Sequence, residues 1–516
     1  MNKNKLLMKS LPLVASVLGQ KYGVKVQIGG DKAFTDGKVI QIPSMPLECD
    51  EILTNLARSY LDHEAAHIRD TNFEWLKMAK LNPLEMHIWN TLEDWRVENK
   101  LAEIFPGCRQ NFQWLIRHLF INDSDQLQDE HQDPASAILN CLLLIVRSWD
   151  VPDLADKCES TASIVEKYYP GLLSQWDFVL QKIRTKCDST QDCILYTREI
   201  VYLLKEYLKQ NYNGHKQKSR KAKSSIQDLE KLLNSDPVNM PKGLGEILEE
   251  HLIHNVPENA DQGLQVAKEG YKRLTELDTT ELEQTRRAST ALKSRLHGII
   301  QAKTISHDRI GRIGRLSTAH LHRIAVGNPR MFHSRQESQG ISTAVHILID
   351  CSGSMRRRIG LASQVCHTVV SSLNSINGVS VGVSAFPAIR AQGCKNYDEP
   401  TVAPILNHGQ RMHTHFGVAA SGSTPLGEVL WWAFQQMLPL PEKRKIILCI
   451  TDGVPDNLPN TQKAIKDGSL NGFEIYGLGI NSEAVFNLFP GKSRVITEIT
   501  DLAPAMFDLL QDSFIK

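Results

Sequence analysis

The sequence predicts an α/β fold at the carboxyl end: a doubly wound, mostly parallel sheet with helices on both faces. An all-α middle joins it to an α+β domain at the amino end. Three observations predict this. From about residue 341, near-continuous apolar runs alternate with helical segments, the texture of strands buried on both faces. Residues 116–210 hold a helical apolar period almost throughout. Ahead of them, two short runs of period-two alternation precede a pair of helices. A chain of 516 residues exceeds one hydrophobic core, and texture divides it into 1–115, 116–210, 211–330 and 331–516.

The opening stretch "MNKNKLLMKSLPLVASVLGQKYG" reads as an amphipathic helix of a cytosolic domain, because Lys9 and Ser10 break the apolar run a signal peptide needs. "VKVQIGG" (24–30) and "KVIQIP" (38–43) are strands either side of a Thr35-Asp36-Gly37 turn. A helix follows from about Glu48 to Asp70, and another covers 89–107. "ASAILNCLLLIVRSW" and "LYTREIVYLLKEYLKQ" typify the helical middle. "NGHKQKSRKAKSS" (213–225) reads as a solvated basic linker rather than a nucleic-acid patch. "ELEQTRRASTALKSRLHGIIQAK" then places Leu292, Leu296 and Ile300 on one helical stripe. The sheet strands are "AVHILI" (344–349), "VSVGVSAF" (379–386), "KIILCI" (445–450) and "FEIYGLGI" (473–480).

A net charge of +1 gives no global attraction to nucleic acid or to a membrane surface. No apolar run approaches the roughly 20 residues that span a bilayer. The ten cysteines form no CxxC pair, which points to a reducing, cytoplasmic setting.

In a doubly wound sheet, ligands bind beyond the carboxyl ends of the strands. There the sequence sets "DCSGSM", with Asp350, Ser352 and Ser354 alternating in one tight loop. "SGSTPLGE" adds Thr424 at a helix start, and "CITDG" adds Asp452 at the end of another strand. Hydroxyls and carboxylates together make a hard, all-oxygen donor set suited to Mg²⁺. No nucleophile, general base or phosphate loop accompanies them, so this chemistry is adhesion rather than turnover.

The five residues resemble the DxSxS…T…D metal-ion-dependent adhesion site of the von Willebrand factor type A (VWA) family. The resemblance implies that Ser352, Ser354 and Thr424 touch the metal and that the aspartates act partly through water. The stretch "GRLSTAHLHRIAVGNPRMFHSRQESQGISTAVHILIDCSGSM" is similar to the lead-in of the cobaltochelatase CobT subunit and related VWA proteins. That similarity implies a MoxR- or CobS-type AAA+ ATPase as partner. The long acidic segment typical of CobT chelatase subunits is missing, so cobalt insertion is not carried over.

The second motif is His63-Glu64-Ala65-Ala66-His67, of the form HExxH. Histidines four apart share a helix face and can grip one Zn²⁺, with Glu64 beside it as a general base. A third ligand is expected from "WNTLEDWRVENKLAEIFPG" (89–107): Glu93, with Asp94 and Glu98 as alternatives. The order of strand, HExxH helix and acidic helix resembles the zincin metallopeptidases, with "AFTDGKVIQIP" as the edge strand onto which a peptide would add.

The expectation is a zinc metallopeptidase whose protein substrate or partner docks through a Mg²⁺-bearing VWA domain. The alternative is a non-catalytic, CobT-like adaptor for an AAA+ ATPase. His408, His413 and His415 read as polar-loop histidines, Trp431 and Trp432 as core, and Arg356, Arg357 and Arg358 as surface.

Overall fold

The computed structural model describes residues 11–35, 37–122, 134–212, 220–234, 240–258, 263–304, 309–311, 315–316, 332–334, 342–388, 390–391 and 399–515. The expected basic linker and the lead-in to the first sheet strand fall largely outside these residues. The chain forms two compact bodies: Val14–Ala260, and Asp261–Lys516 with Met1–Leu13.

The amino-terminal body is mainly helical. Its small sheet holds β1 (Lys25–Ile28), β2 (Phe34–Thr35) and β3 (Val39–Ile42) in the order β1-β3-β2. The expectation that β3 is an open edge is corrected here. It is the central strand, parallel to β1 and antiparallel to β2, so both its backbone edges are engaged. The reason is length: the two-residue β2 folds back before the turn and takes the position a peptide would need.

The HEAAH helix spans Glu51–Asp70, and Asp50 caps it by accepting the Leu53 N–H at 2.7 Å. The acidic helix spans Pro83–Ile104, with proline in its first turn and an Asn82/Glu85 capping box. Its Leu84, Ile88, Leu92 and Trp95 share a core with Leu142 and Val146 of the Pro134–Ser148 helix, Trp176, and Leu204 of the Thr190–Tyr212 helix. Burying one apolar stripe against these helices merges the stretches 1–115 and 116–210 into one body. The Leu244–His254 helix also belongs to it.

The second body is built on an eight-stranded mixed sheet. Its members are β4 (Lys268–Tyr271), β8 (Thr343–Asp350), β9 (Val379–Phe386), β10 (Arg390–Ala391), β11 (Thr401–Leu406), β12 (Arg444–Thr451), β13 (Phe473–Ile480) and β14 (Ser493–Ile496). The order is β10-β4-β11-β9-β8-β12-β13-β14. β5 (Arg309–Gly311), β6 (Arg315–Leu316) and β7 (Phe332–Ser334) form a separate three-stranded sheet. β8 lies between two parallel neighbours, β9 and β12, reached by crossovers to opposite sides. That arrangement puts the topological switch point at its carboxyl end.

All eight residues of β8 are buried. Val345, Ile347 and Ile349 pack with Val365 and Val369 of the Ile359–Leu373 helix and with Met506 of the Leu502–Ile515 helix. On the opposite face, His346 meets Trp432 of the Leu426–Met437 helix at 5.8 Å between ring centres. The stretch 211–330 is thereby shared: 220–254 lies in the first body, while β4 and the Thr279–Thr304 helix, with Leu292 in the core, lie in the second.

Candidate metal sites

At the end of β8 the chain turns sharply, and a network of hydrogen bonds fixes Asp350. Its Oδ1 accepts the Ser352 N–H at 2.8 Å and its Oδ2 accepts the Thr451 hydroxyl at 2.6 Å. The hydroxyls of Ser352 and Ser354 lie 3.0 Å apart. The loop bearing Thr424 is tied to this turn by Ser421 N–H to Cys351 O (2.7 Å) and Gly353 N–H to Gly422 O (2.9 Å). Asp456 accepts the Thr424 N–H at 2.6 Å and holds that loop from the other side.

Asp452 is 4% exposed, and its Oδ1 has no hydrogen-bond partner among the described residues. Its Oδ2 accepts from Arg358 at 3.3 Å. A buried carboxylate oxygen left bare is costly unless a cation or water completes it. Burial, followed by the nearby Asp452 charge, raises the Asp350 carboxyl to about 6 against its own hydrogen bonds from Thr451 and Ser352. Two aspartates, one with a bare oxygen, beside paired serine hydroxyls fit a hard divalent cation. Sequence reasoning missed Thr451 and Asp456, which act through ordinary threonine and aspartate positions without a distinguishing motif.

The second site forms where the HEAAH helix meets the acidic helix. His63 Nδ1 is 2.9 Å from Glu98 Oε1, and His67 Nε2 is 3.1 Å from Asp94 Oδ1. His67 Nδ1 is 3.0 Å from the hydroxyl of Thr71, the residue that ends the helix. The pairs 63/98 and 67/94 run in opposite directions, as they must when two i,i+4 pairs face each other across antiparallel helices. Ligand atoms of His63, His67 and Asp94 all lie within 4.8 Å of one another.

Glu93, the expected third ligand, faces elsewhere. It is fully buried, its two oxygens accept from Arg96 at 2.6 and 3.0 Å, and Thr190 donates to it at 2.8 Å. One residue along a helix is a rotation of about 100°. Asp94 and Glu98 therefore share the stripe toward the histidines, while Glu93 and Arg96 share the stripe toward Thr190. The spacing of Asp94 and Glu98, four apart like the histidines, is the sequence signal that distinguishes them.

With a metal bound, a proton on Nδ1 of each ring would satisfy the Glu98 and Thr71 contacts and leave each Nε2 free to ligate; without it, His67 Nε2–H donates to Asp94. Oriented imidazoles of this kind are the usual setting of histidine metal ligands. Burial would lower the His63 pKa, but the hydrogen bond to Glu98 and the charges of Asp94, Glu98 and Glu64 outweigh it and raise it to about 9. Burial works against the Asp94 carboxylate, yet His67, His63 and Arg147 hold it below its ordinary range. Two imidazoles and one carboxylate suit zinc and related borderline cations.

Glu64 is half-buried on the same helix. The Glu249 carboxyl of the Leu244–His254 helix is pushed up by burial and then by Glu64. The first turn of that helix lies against His63: a Cβ on Gly245 would come within 3.2 Å of Nε2. No sequence signal marked it as part of the site.

Of the other histidines noted in the sequence, His415 is exposed, while His408 and His413 are held by internal hydrogen bonds. His408 Nε2 is 3.1 Å from His346 Nδ1, and a Cβ on Gly382 would clash with both rings at under 3 Å. His413 pairs with the Ile405 carbonyl at 3.0 Å. Trp431 and Trp432 are core residues, and Arg356 and Arg357 are exposed.

Residues 5–149 match the family model described as "Cobalamin biosynthesis protein CobT". The matched stretch contains His63, His67, Asp94, Glu98 and Arg147. A search of curated proteins gave no match. Among solved structures, the chain is similar to proximal thread matrix protein 1 from the mussel byssus, at 12% identity over 34% of this chain and 46% of that one, TM-score 0.26. A second structure of the mussel protein, with a zinc-occupied MIDAS motif, aligns at 14% identity over the same shares, TM-score 0.27. The vWF domain of the type V pili tip protein Mfa5 from Porphyromonas gingivalis aligns at 10% identity over 34% of this chain and 95% of that one, TM-score 0.26. The chain thus spans about half the length of the first of these proteins and nearly all of the pilus domain. No helix among the described residues is long and apolar enough to cross a membrane.

Proposed function

We propose that this chain is a metal-dependent adaptor of the CobT type, whose cation at the carboxyl end of β8 receives a carboxylate from a partner protein. The bare, buried Oδ1 of Asp452 beside Asp350 and the Ser352/Ser354 hydroxyls carries this reading. Asp350, Ser352, Ser354, Thr424 and Asp452 would hold Mg²⁺. A cation held largely by neutral hydroxyls keeps enough electrophilicity to accept one more anionic ligand. The partner class we propose is a MoxR- or CobS-type AAA+ ATPase, on the resemblance of the stretch before Asp350 to CobT-type proteins. The test is Mn²⁺ binding, followed by paramagnetic resonance as a stand-in for Mg²⁺, with Asp350→Asn as the control. Unchanged binding in that variant overturns the reading.

In the amino-terminal body, His63, His67 and Asp94 would hold zinc, with Glu98 and Thr71 orienting the rings. Bound zinc would supply Lewis acidity and an acidified water. A metallopeptidase reading is favoured by Glu64, which sits on the same helix next to His63. Against it stand β3, paired on both edges, and the Gly245 turn lying on His63. Hydrolysis of casein by the wild type and its loss in Glu64→Gln would establish peptidase activity; zinc-loaded protein that leaves casein intact excludes this peptidase reading.

A further inference from the structure

We propose that the mouth of the Asp350–Asp452 site is a docking surface for an acidic protein segment that carries a bulky apolar side chain. The proposal rests on the cation reading for one contact, the carboxylate that meets the ion, and adds what must flank that carboxylate. The residues around Ser354 form a short 3-10 helix, Gly353–Arg357, and Arg358 ends it. Arg358 reaches back to the site: the one hydrogen bond its guanidinium makes among the described residues runs from Nη1 to Asp452 Oδ2 at 3.3 Å. Arg356 and Arg357 are exposed, with no hydrogen-bond or ion-pair partner among the described residues. Three cations thus follow closely on the serine hydroxyls, and the single engaged one holds a carboxylate that would also face the metal.

The loop after Asp452 is apolar instead. Gly453 lies against the start of the Val485–Leu488 helix: a Cβ on it would come within 2.6 Å of Val485 N. That contact brings together the segments carrying Val454 and Phe486, which are 66% and 44% exposed. Leu458, two residues past the Asp456 that holds Thr424, is 45% exposed. Large apolar side chains exposed near a charged rim mark an interaction surface. The charges choose its partner. Carboxylates satisfy unpaired guanidiniums through forked hydrogen bonds. A second carboxylate of the segment can take Arg358 from Asp452 and free Oδ2 for the cation, so that segment and metal reinforce each other's binding. Exposed Glu483, just before the Val485–Leu488 helix, keeps such carboxylates to the arginine side. Phosphates of a nucleic acid or a lipid surface would also meet the arginines, but they would leave Val454 and Phe486 facing water. The fitting partner is therefore a protein.

The experiment is fluorescence anisotropy of a labelled synthetic peptide, aspartates around a central leucine, titrated with the full-length protein in Mn²⁺. Saturable binding that a chelator abolishes is the expected result, with Mn²⁺ itself held more tightly when the peptide is present. Replacing the leucine by serine is expected to weaken the peptide about tenfold. Arg356→Ser combined with Arg357→Ser is expected to weaken both peptides about tenfold, with Mn²⁺ stoichiometry and the thermal unfolding midpoint retained. Val454→Asn is expected to weaken the leucine peptide and leave the serine peptide unchanged. Protein that binds no Mn²⁺ overturns the cation reading and this proposal with it; protein that binds Mn²⁺ but not the peptide overturns this proposal alone. So do chelator-insensitive binding, equal affinity for the two peptides, undiminished binding in the folded double-arginine variant, or tighter binding of phosphatidylserine vesicles than of the peptide.

Discussion

The two candidate metal sites are assembled by opposite means. At the strand ends, Asp350, Ser352 and Ser354 come from one turn, and Asp452 directly follows Thr451, the last residue of the parallel neighbour β12. At the helical site, the histidines come from one helix and their carboxylates from another, matched by antiparallel packing. In the first, strand order brings Asp350 and Asp452 to neighbouring strand ends, and backbone bonds tie the Thr424 loop to them. In the second, which carboxylate arrives depends on how two helices are rotated against each other.

That difference can be broken most directly by removing one ligand from each site. Asp350→Asn is expected to abolish Mn²⁺ binding and leave the zinc stoichiometry intact. His63→Ala is expected to do the reverse, both read by elemental analysis after dialysis. Loss of both metals in either variant would show that the sites are not separately built.

The next largest effect contrasts neighbours on one helix. Glu93→Gln leaves Arg96 without its buried counter-charge and is expected to destabilise the protein by about 3–5 kcal/mol in denaturant unfolding. Zinc content should not change. Asp94→Asn should remove zinc, and the opposite pattern would restore Glu93 as the ligand.

The pH responses of the chelated protein sharpen the contrast further. His63 is raised from 6.5 to about 9, so the folded state holds its proton longer; that stability is present below pH 6.5 and lost as pH rises through 9. Asp350 is raised from 3.8 to about 6, so its contribution is lost earlier, as pH rises from 3.8 through 6. Each full change amounts to about 3 kcal/mol. Urea midpoints that fall through both windows are expected, and saturating zinc should flatten the upper one. A flat profile between pH 6.5 and 9 in metal-free protein would remove the Glu98–His63 pairing.

The smallest expected effect tests the orienting residues. Glu98→Gln should weaken zinc about 10–100-fold without changing its stoichiometry. Thr71→Val should weaken it less, because a neutral hydroxyl orients His67 where a carboxylate orients His63.

Much of this was readable from residues alone. β8, β9, β12 and β13 fall within a residue of their expected limits because near-continuous apolar runs between helices have few other folded solutions. The HEAAH helix was readable from its period, although it starts at Glu51, three residues after the expected Glu48. The body boundary near residue 260 was not, since the apolar stripe of the acidic helix does not state which helix will cover it. The seating of Gly245 on His63 joins residues far apart in sequence, and local pattern carries no record of it.

The sequence by itself determined the Asp350–Ser352–Ser354 turn at the carboxyl end of β8 and the pair of histidines on one helix face, because both follow from local geometry: a tight turn after a strand, and a 3.6-residue period. Only the tertiary structure decided that Asp94 rather than Glu93 meets those histidines, that β3 is enclosed, and that Arg147 is buried against Glu98 and Asp94. Those outcomes rest on the rotation and contact of helices distant in the chain, where a single residue step turns a side chain by about 100° and exchanges one neighbour for another.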